Sequence, residues 1–575
     1  MKRYLSFGLG ITLAMASCSG PASSTDTADT SGSESTSEST GDGDGDGDDA
    51  TSGDGDGDGT PGDGDGDGDG DGEGLSCSID CGPSEGAMTA VAAGEDLQAA
   101  IDAAVAGDTL MLDAGATFVG NFVLREKAGE GCITIRTSTP DDQLDPARRV
   151  TPDDAPLLAR VISPGNGMPA IRTEPNAAHY RLIGLEVAPE QPSSEVYTLL
   201  QLGSTGGDQT TLDGVPHHIV IDRCFVHGWP DANFKRGIGL DSTDTCVMHS
   251  TISDFHSDFQ DSQAIGGVNG PGPFEIIDNR LEGGAENIMF GGGVAAIPNL
   301  VPSDILIQGN HFYKPLAWRE GDPDNTGYVP WVKNLFEIKN GRNVTFVGNR
   351  LENNWVGADQ HGVAIVLTPR SEDGAMPWAV VEHVVIRDNH IVHVGGGVSV
   401  LGYDSNMSSQ QTNDIVIAGN LFEDVRQDYA FDTVRMIQFT QVAGLVFDHN
   451  TFAFDGPFDI LRSYGVPTTG FEFTNNVVPY GTGVWSDCGT DQTALACSLS
   501  DGLFAGNVVW DGGSDSLPPD NGFADDRDAV GFVDWAGGPN DYHGYALAPE
   551  SPHAGTATDA TDPGFSPEAL DAAGL

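Results

Sequence analysis

Lysine is nearly absent from this chain. Of 575 residues only six are lysines: Lys2, Lys127, Lys235, Lys314, Lys333 and Lys339. The 26 bases face 86 acids, a formal net charge of −60. Such a surface repels nucleic acid and anionic membrane, and it repels acidic polysaccharides unless a local basic groove or bound cations intervene. Long apolar runs are missing too. The one candidate, Tyr4 to Ala16 behind Lys2 and Arg3, is too short to span a membrane comfortably and fits a secretory signal. Between residues 19 and 76 there are 18 acids, no base and almost no apolar side chain, with a Gly-Asp repeat from Gly41. No folded domain is expected there, because nothing offsets the entropy of ordering the chain. Gly flexibility and Asp self-repulsion predict a swollen tether. Its Asp runs lack the closing Glu of a calcium loop, so they predict weak cation condensation rather than a site.

What the sequence does have is a degenerate repeat. IVIDRCFVHG from Ile219, ILIQGNHFYK from Ile305, VTFVGNRLENN from Val344, VVIRDNHIVHVG from Val384 and IVIAGNLFEDV from Ile415 share one pattern. Apolar residues alternate, a short polar step follows, and alternation resumes. The step carries Asn279, Asn310, Asn349, Asn389, Asn420, Asn450, Asn476 and Asn507, with Cys224 and Ser250 in the same slot earlier. Period-2 alternation predicts strands. The steps between repeats are too short for crossover helices, so each repeat is one coil stacked about 4.8 Å from the next. The asparagines then form an internal ladder, each amide bonded to its neighbours. A second ladder runs through GIGLDS from Gly237, ENIMFGG from Glu286, LFEIKN from Leu335, AIVLTPR from Ala364, GVSVLGYD from Gly397 and MIQFTQ from Met436. The predicted fold class is all-β: one parallel β-helix over 76–575, behind a signal segment (1–18) and a tether (19–75).

The segment from Gly94 reads as a short amphipathic helix with Leu97, Ile101 and Val105 on one face. It resembles the N-terminal cap of pectate-lyase-like right-handed β-helices, and YALAPESPHAG from Tyr545 resembles their closing segment. NLVPSDILIQGNHFYKPLAW and VKNLFEIKN are similar to a bacterial group of right-handed β-helix repeat proteins with no established reaction. Met15-Ala16-Ser17-Cys18 resembles a lipoprotein signal. That resemblance implies lipid attachment at Cys18 and export to the outer membrane or surface of a bacterium, with Ser19 favouring that sorting. Export permits disulfides. Cys488 and Cys497 can close a short loop, and Cys77 or Cys81 can pin the domain start to Cys132.

Outward side chains on the second ladder are the natural groove. With Phe336 and Ile338 inward, Glu337 and Lys339 face out; Arg370 lies just past the next strand, and Tyr403 past the one after. In so lysine-poor a chain Lys333, Lys339 and Arg370 are candidates for a basic spot, although they could instead only balance Glu286, Glu320 and Glu337. A basic spot suits β-elimination on a uronate: a cation neutralises the carboxylate and a base of lowered pKa takes the adjacent proton. IKNGRNVTF faintly resembles the lysine-bearing coil of the alginate lyase and chondroitinase B group, which implies Lys339 as base and Arg370 as second cation. That group's calcium ligands are unmatched, since Val332 and Asn334 stand there. Ca²⁺ is the one candidate cofactor. Lys333 joins the catalytic candidates. Glu337, Gln263, Asn334 and Tyr403, with Trp318 and Trp355 at the rim, are the expected substrate contacts.

A hydrolase is the competing enzyme reading, with Asp258, Asp261 and His361 as its loose set. His217, His218, His227, His249 and His256 cluster in sequence, but scattered turn histidines are the commoner outcome and no metal site is assigned. The expected partner is a polysaccharide, bound by a monomer, with membrane contact through the lipid anchor only. A non-catalytic glycan-binding or adhesin-like solenoid is the alternative to an enzyme.

Overall fold

The computed structural model describes residues 75–575 apart from 192–195, 359, 432, 466 and 536–540. The signal segment, Cys18 and nearly all of the tether lie outside the described residues. Among the described residues the strands form three sheets of 15, 13 and 14 strands. Within each sheet a strand pairs with the one three steps on in sequence, nearly always in parallel. Each coil therefore gives one strand to each sheet, and the chain is a right-handed parallel β-helix.

Sequence alternation becomes columns of stacked side chains. In the fifteen-stranded sheet Ile221, Val247, Ile276, Ile307, Phe346, Ile386, Ile417, Phe447 and Phe473 are register neighbours, coil to coil. All nine are fully buried, and each burial contributes roughly 1.5–3 kcal/mol. No single coil could cover this face, so the stack is the cooperative unit.

The polar step after this sheet is the asparagine ladder. The backbone N–H of Asn310 donates to Asn349 Oδ1 at 2.9 Å, that of Asn349 to Asn389 Oδ1 at 2.8 Å, and that of Asn389 to Asn420 Oδ1 at 3.0 Å. Ser250 and Cys224 continue it at one end, and Asn521 adds a rung beyond Asn507 at the other. The residue before each Asn takes the left-handed conformation, from φ 50° at Asp278 to φ 71° at Gly506. That requirement explains why Asp, Gly, His and Asn fill the position, since these residues best tolerate αL.

The ends differ from expectation in three ways. The capping helix, Leu97–Ala103, buries Leu97 and Ile101 but stops before Val105, which is 61% exposed. Its N-terminus is capped by Asp96, whose carboxylate accepts from Ala99 N. At the far end the helix Asp491–Ser498, which the alternation gives no hint of, puts Ala494 and Leu495 into the core. The Tyr545 segment does not close the stack. It turns back along the outside of the fourteen-stranded sheet, where Tyr542, Tyr545, Phe565 and Leu570 cluster on Leu421 and Ala453. Cys81–Cys132 and Cys488–Cys497 are disulfides, while Cys77 pairs with Cys246 and Cys224 stays free and buried.

Candidate functional site

The outer face of the thirteen-stranded sheet carries a cleft of about 550 Å³, within the usual size range of ligand sites. Lys235, Arg236, Gln263, Lys339 and Arg370 line it, with Tyr197 at one side. Three of the chain's six lysines, Lys235, Lys333 and Lys339, thus gather in or beside one cleft, and Lys314 lies beneath it. The floor depends on glycine. A Cβ on Gly266 would meet Arg236 Nε at 2.8 Å, so only glycine lets this guanidinium lie flat across the strand. Gly291, at φ 86°, forms part of the wall, and a Cβ there would strike Asn340 N at 2.6 Å.

The polar floor is a relay across three coils. Arg236, Gln263 and Glu286 are register neighbours on successive strands. Arg236 Nη2 donates to Gln263 Oε1 at 3.0 Å, and Gln263 Nε2 donates to Glu286 Oε2 at 2.8 Å. Glu286 is fully buried, and its Oε1 has no hydrogen-bond partner. Burial and the nearby Glu337 carboxylate push Glu286 well above the usual carboxylate range, against Lys339. Burial also pushes Glu282, on the preceding strand of the same coil, up to about 7.

These shifts have a defined sign. Both carboxyls prefer a proton in the folded state more than in the unfolded one, whose value is 4.5. Their stabilisation is therefore complete below pH 4.5 and is lost as pH rises towards about 7. Glu286→Gln should flatten this slope and raise stability at pH 8 by about 1–3 kcal/mol. Urea unfolding at pH 5 and pH 8 checks it; an unchanged difference between the two pH values in the variant would exclude a raised Glu286.

The expected site residues divide in two. Lys339, Arg370 and Gln263 line the cleft, and the Arg370 backbone N–H donates to Lys339 O at 2.9 Å. The cations expected to face substrate, however, are already paired within the protein. Lys333 Nζ lies 2.8 Å from Asp261, Lys339 Nζ 3.4 Å from Glu337, and Arg370 Nε 3.3 Å from Asp404. Burial lowers Lys339, but Glu337 and Glu286 outweigh it and hold the ammonium above its ordinary value. As a paired ammonium it lacks the lowered pKa that the expected base requires.

Five of the six expected substrate contacts are buried, Gln263 among them although it lines the cleft. Glu337 is 5% exposed and held by Lys339 and by Asn334 Nδ2. Asn334 itself lies under the floor at 1%. Trp318 and Trp355, each 5% exposed, form a cluster with Val332 and Tyr429 where the long loop folds down on the coil. Their apolar rings gain more by burying that loop than by waiting in water. Tyr403 is exposed beside Asp404 but does not line the cleft. Of the hydrolase set, Asp261 is tied to Lys333, and His361 packs edge-on against Phe431.

Sequence reasoning passed over Lys235 and Arg236. Among the described residues neither has a carboxylate within ion-pair distance. Lys235 lies 5.1 Å over the ring of Tyr197, itself 59% exposed, and Arg236 bonds only to Gln263. The available signal was the adjacent pair itself, Lys-Arg at the head of a ladder strand in a chain this acidic.

No protein family and no curated protein matches the sequence. Among solved structures, an alginate lyase from Paenibacillus sp. is similar at 13% identity and TM-score 0.31, over 66% of this chain and 93% of that one. The PL6 family alginate lyase AlyGC is similar at 12% and 0.42, over 81% of this chain and 57% of that one. Pectate lyase Pel9A is similar at 12% and 0.33, over 84% and 97%. Likeness at this level says nothing about substrate, and the fold rests on the three parallel sheets themselves.

Proposed function

We propose that this chain is a carbohydrate-active β-helix protein whose cleft binds an acidic, uronate-containing polysaccharide. One observation carries the reading. Among the described residues Lys235 and Arg236 are adjacent cations with no carboxylate within ion-pair distance, and they line a cleft on a protein of net charge −60. The two neighbouring cations repel each other, and a bound carboxylate would offset that repulsion. Arg236 is only 5% exposed, but its guanidinium, flat over Gly266, lines the cleft and has donors that suit a carboxylate. Tyr197 offers a ring face beside them for a sugar. Lys339 and Arg370 complete the cationic wall while remaining tied to their own carboxylates.

Lys235→Ala and Arg236→Ala should each weaken binding of an oligouronate by about tenfold or more, the scale of one charge-assisted hydrogen bond. Calorimetry at fixed salt reads this, with a neutral oligosaccharide as control. Equal binding by wild type and both variants would refute the reading.

Cleavage by β-elimination is the second reading, favoured by the cation pair that lines the cleft. Arg236 and Lys235 would neutralise the uronate carboxylate. The adjacent C–H bond would break, its electrons forming the new double bond as the glycosidic C–O bond breaks; water in the cleft would take that proton, and solvent would protonate the departing oxygen. Ultraviolet absorbance of the unsaturated product, followed with Ca²⁺ and with chelator, tests it. Absorbance should rise with wild type and far less with Arg236→Ala; a flat trace with wild type leaves a binding protein only. The cell surface, reached through lipid on Cys18, is the proposed location, and release of the Cys18→Ser chain from membranes tests that.

A further inference from the structure

Histidine is sparse here, at 14 residues in the chain, yet three histidines meet on the outside of the fifteen-stranded sheet, away from the cleft. His179 belongs to the strand Ala178–Ile183, and His217 and His218 open the next strand, His217–Asp222. The register sets His217 beside Ala178 and Ile219 beside Tyr180, which brings His218 beside His179. One ring nitrogen from each histidine lies within 4.8 Å of the other two. The His217 and His218 Nδ1 atoms are 2.8 Å apart, and the ring centroids are separated by 4.9–5.6 Å. All three rings are half-exposed, so an ion could reach them.

The hydrogen bonds set the ligand atoms. His179 Nδ1 lies 2.8 Å from Cys81 O. A carbonyl oxygen only accepts, so Nδ1 carries the proton and Nε2 keeps its lone pair. This is the arrangement by which an imidazole is oriented towards a metal. The 2.8 Å contact between His217 and His218 is a nitrogen–nitrogen hydrogen bond, and an ion about 2.0–2.1 Å from each nitrogen, off the line between them, would use both lone pairs once that proton is lost. Beyond Cys81 O and one another, the three rings have no hydrogen-bond partner among the described residues. His179 and His218 both sit at left-handed positions, φ 61° and 52°. The backbone thereby turns these side chains onto the same outer patch.

We propose that His179, His217 and His218 form a binding site for a divalent transition-metal ion of the Zn²⁺ or Cu²⁺ type. Three imidazoles with open remaining positions suit borderline ions and not Ca²⁺ or Mg²⁺, which take oxygen ligands. The ion would join two consecutive coils. Through His179 and Cys81 it would also join the disulfide-bonded segment that leads into the helix.

Cu²⁺ added to the full chain, with electron paramagnetic resonance as the readout, tests this. Expected is one tightly bound equivalent whose hyperfine pattern reports imidazole nitrogens, undisturbed by excess Ca²⁺. The acidic tether can supply only oxygen ligands, so an oxygen-only spectrum would overturn the site without any variant. His218→Asn keeps the left-handed backbone, as Asn343 does at φ 51° further along the same sheet. It should weaken Cu²⁺ binding by about tenfold or more, with the metal-free melting curve unchanged. Undiminished nitrogen ligation in both His218→Asn and His217→Ala would also overturn it.

Discussion

Asn389→Ala is expected to destabilise the protein by on the order of 3–5 kcal/mol, a large effect for one surface-remote amide. Asn389 Nδ2 donates to Phe346 O at 3.1 Å, Arg387 O at 2.8 Å and Asn420 Oδ1 at 2.8 Å. Its Oδ1 accepts from Asn349 N at 2.8 Å and Asn349 Nδ2 at 3.1 Å. Alanine leaves several fully buried polar groups without partners, each costing about 1–3 kcal/mol, partly relieved if water enters. Asn389→Asp keeps the acceptor and loses the donor, so it should cost nearly as much. Urea unfolding measures both. If Asn389→Ala unfolds within about 1 kcal/mol of wild type, the ladder does not hold the turn.

Lys314→Met should cost a similar amount, on the order of 3–5 kcal/mol. Lys314 is fully buried, and its Nζ donates to Gly283 O at 2.7 Å, Gly284 O at 2.8 Å, Ala285 O at 3.3 Å and Asn287 Oδ1 at 3.1 Å. Carbonyl oxygens only accept, so this cage requires the ammonium. Burial lowers the lysine's pKa, and the Glu286 carboxylate opposes that shift. Methionine conserves volume but orphans the oxygens that fix the bend between the strands Arg280–Gly283 and Glu286–Phe290. That bend sets the depth of Glu286 beneath the cleft, so oligouronate binding should weaken with stability. Comparing Lys314→Met, Glu286→Gln and the double variant separates the two roles. A double variant whose cost equals the sum of the single ones would show that the pair is not coupled.

The coil architecture was legible because its signals are local and repeated. Alternation, the Asn step and the Asp, Gly, His or Asn before it recur in coil after coil from Asn279 to Asn507, and stacking like on like follows from them. The inward sets, such as Phe336 with Ile338 and Val398 with Val400, are where alternation put them. Val105 and the Tyr545 segment were not, because the end of a helix and the path of a tail depend on packing partners far along the chain.

Sequence by itself determined the stacked coils, the inner asparagine ladder, the second sheet that carries the cleft, and the lysine-poor acidic background. Only the tertiary structure decided which cations remain unpaired. Lys333, Lys339 and Arg370 meet carboxylates from other coils or their own strand, while Lys235 and Arg236, three coils earlier, meet none among the described residues. It also decided that the loop tryptophans fold inward and that His179 joins His217 and His218. The physical reason is the same in each case. Periodicity fixes which face a side chain takes, but ion pairing and loop burial depend on distances between coils that no local pattern encodes.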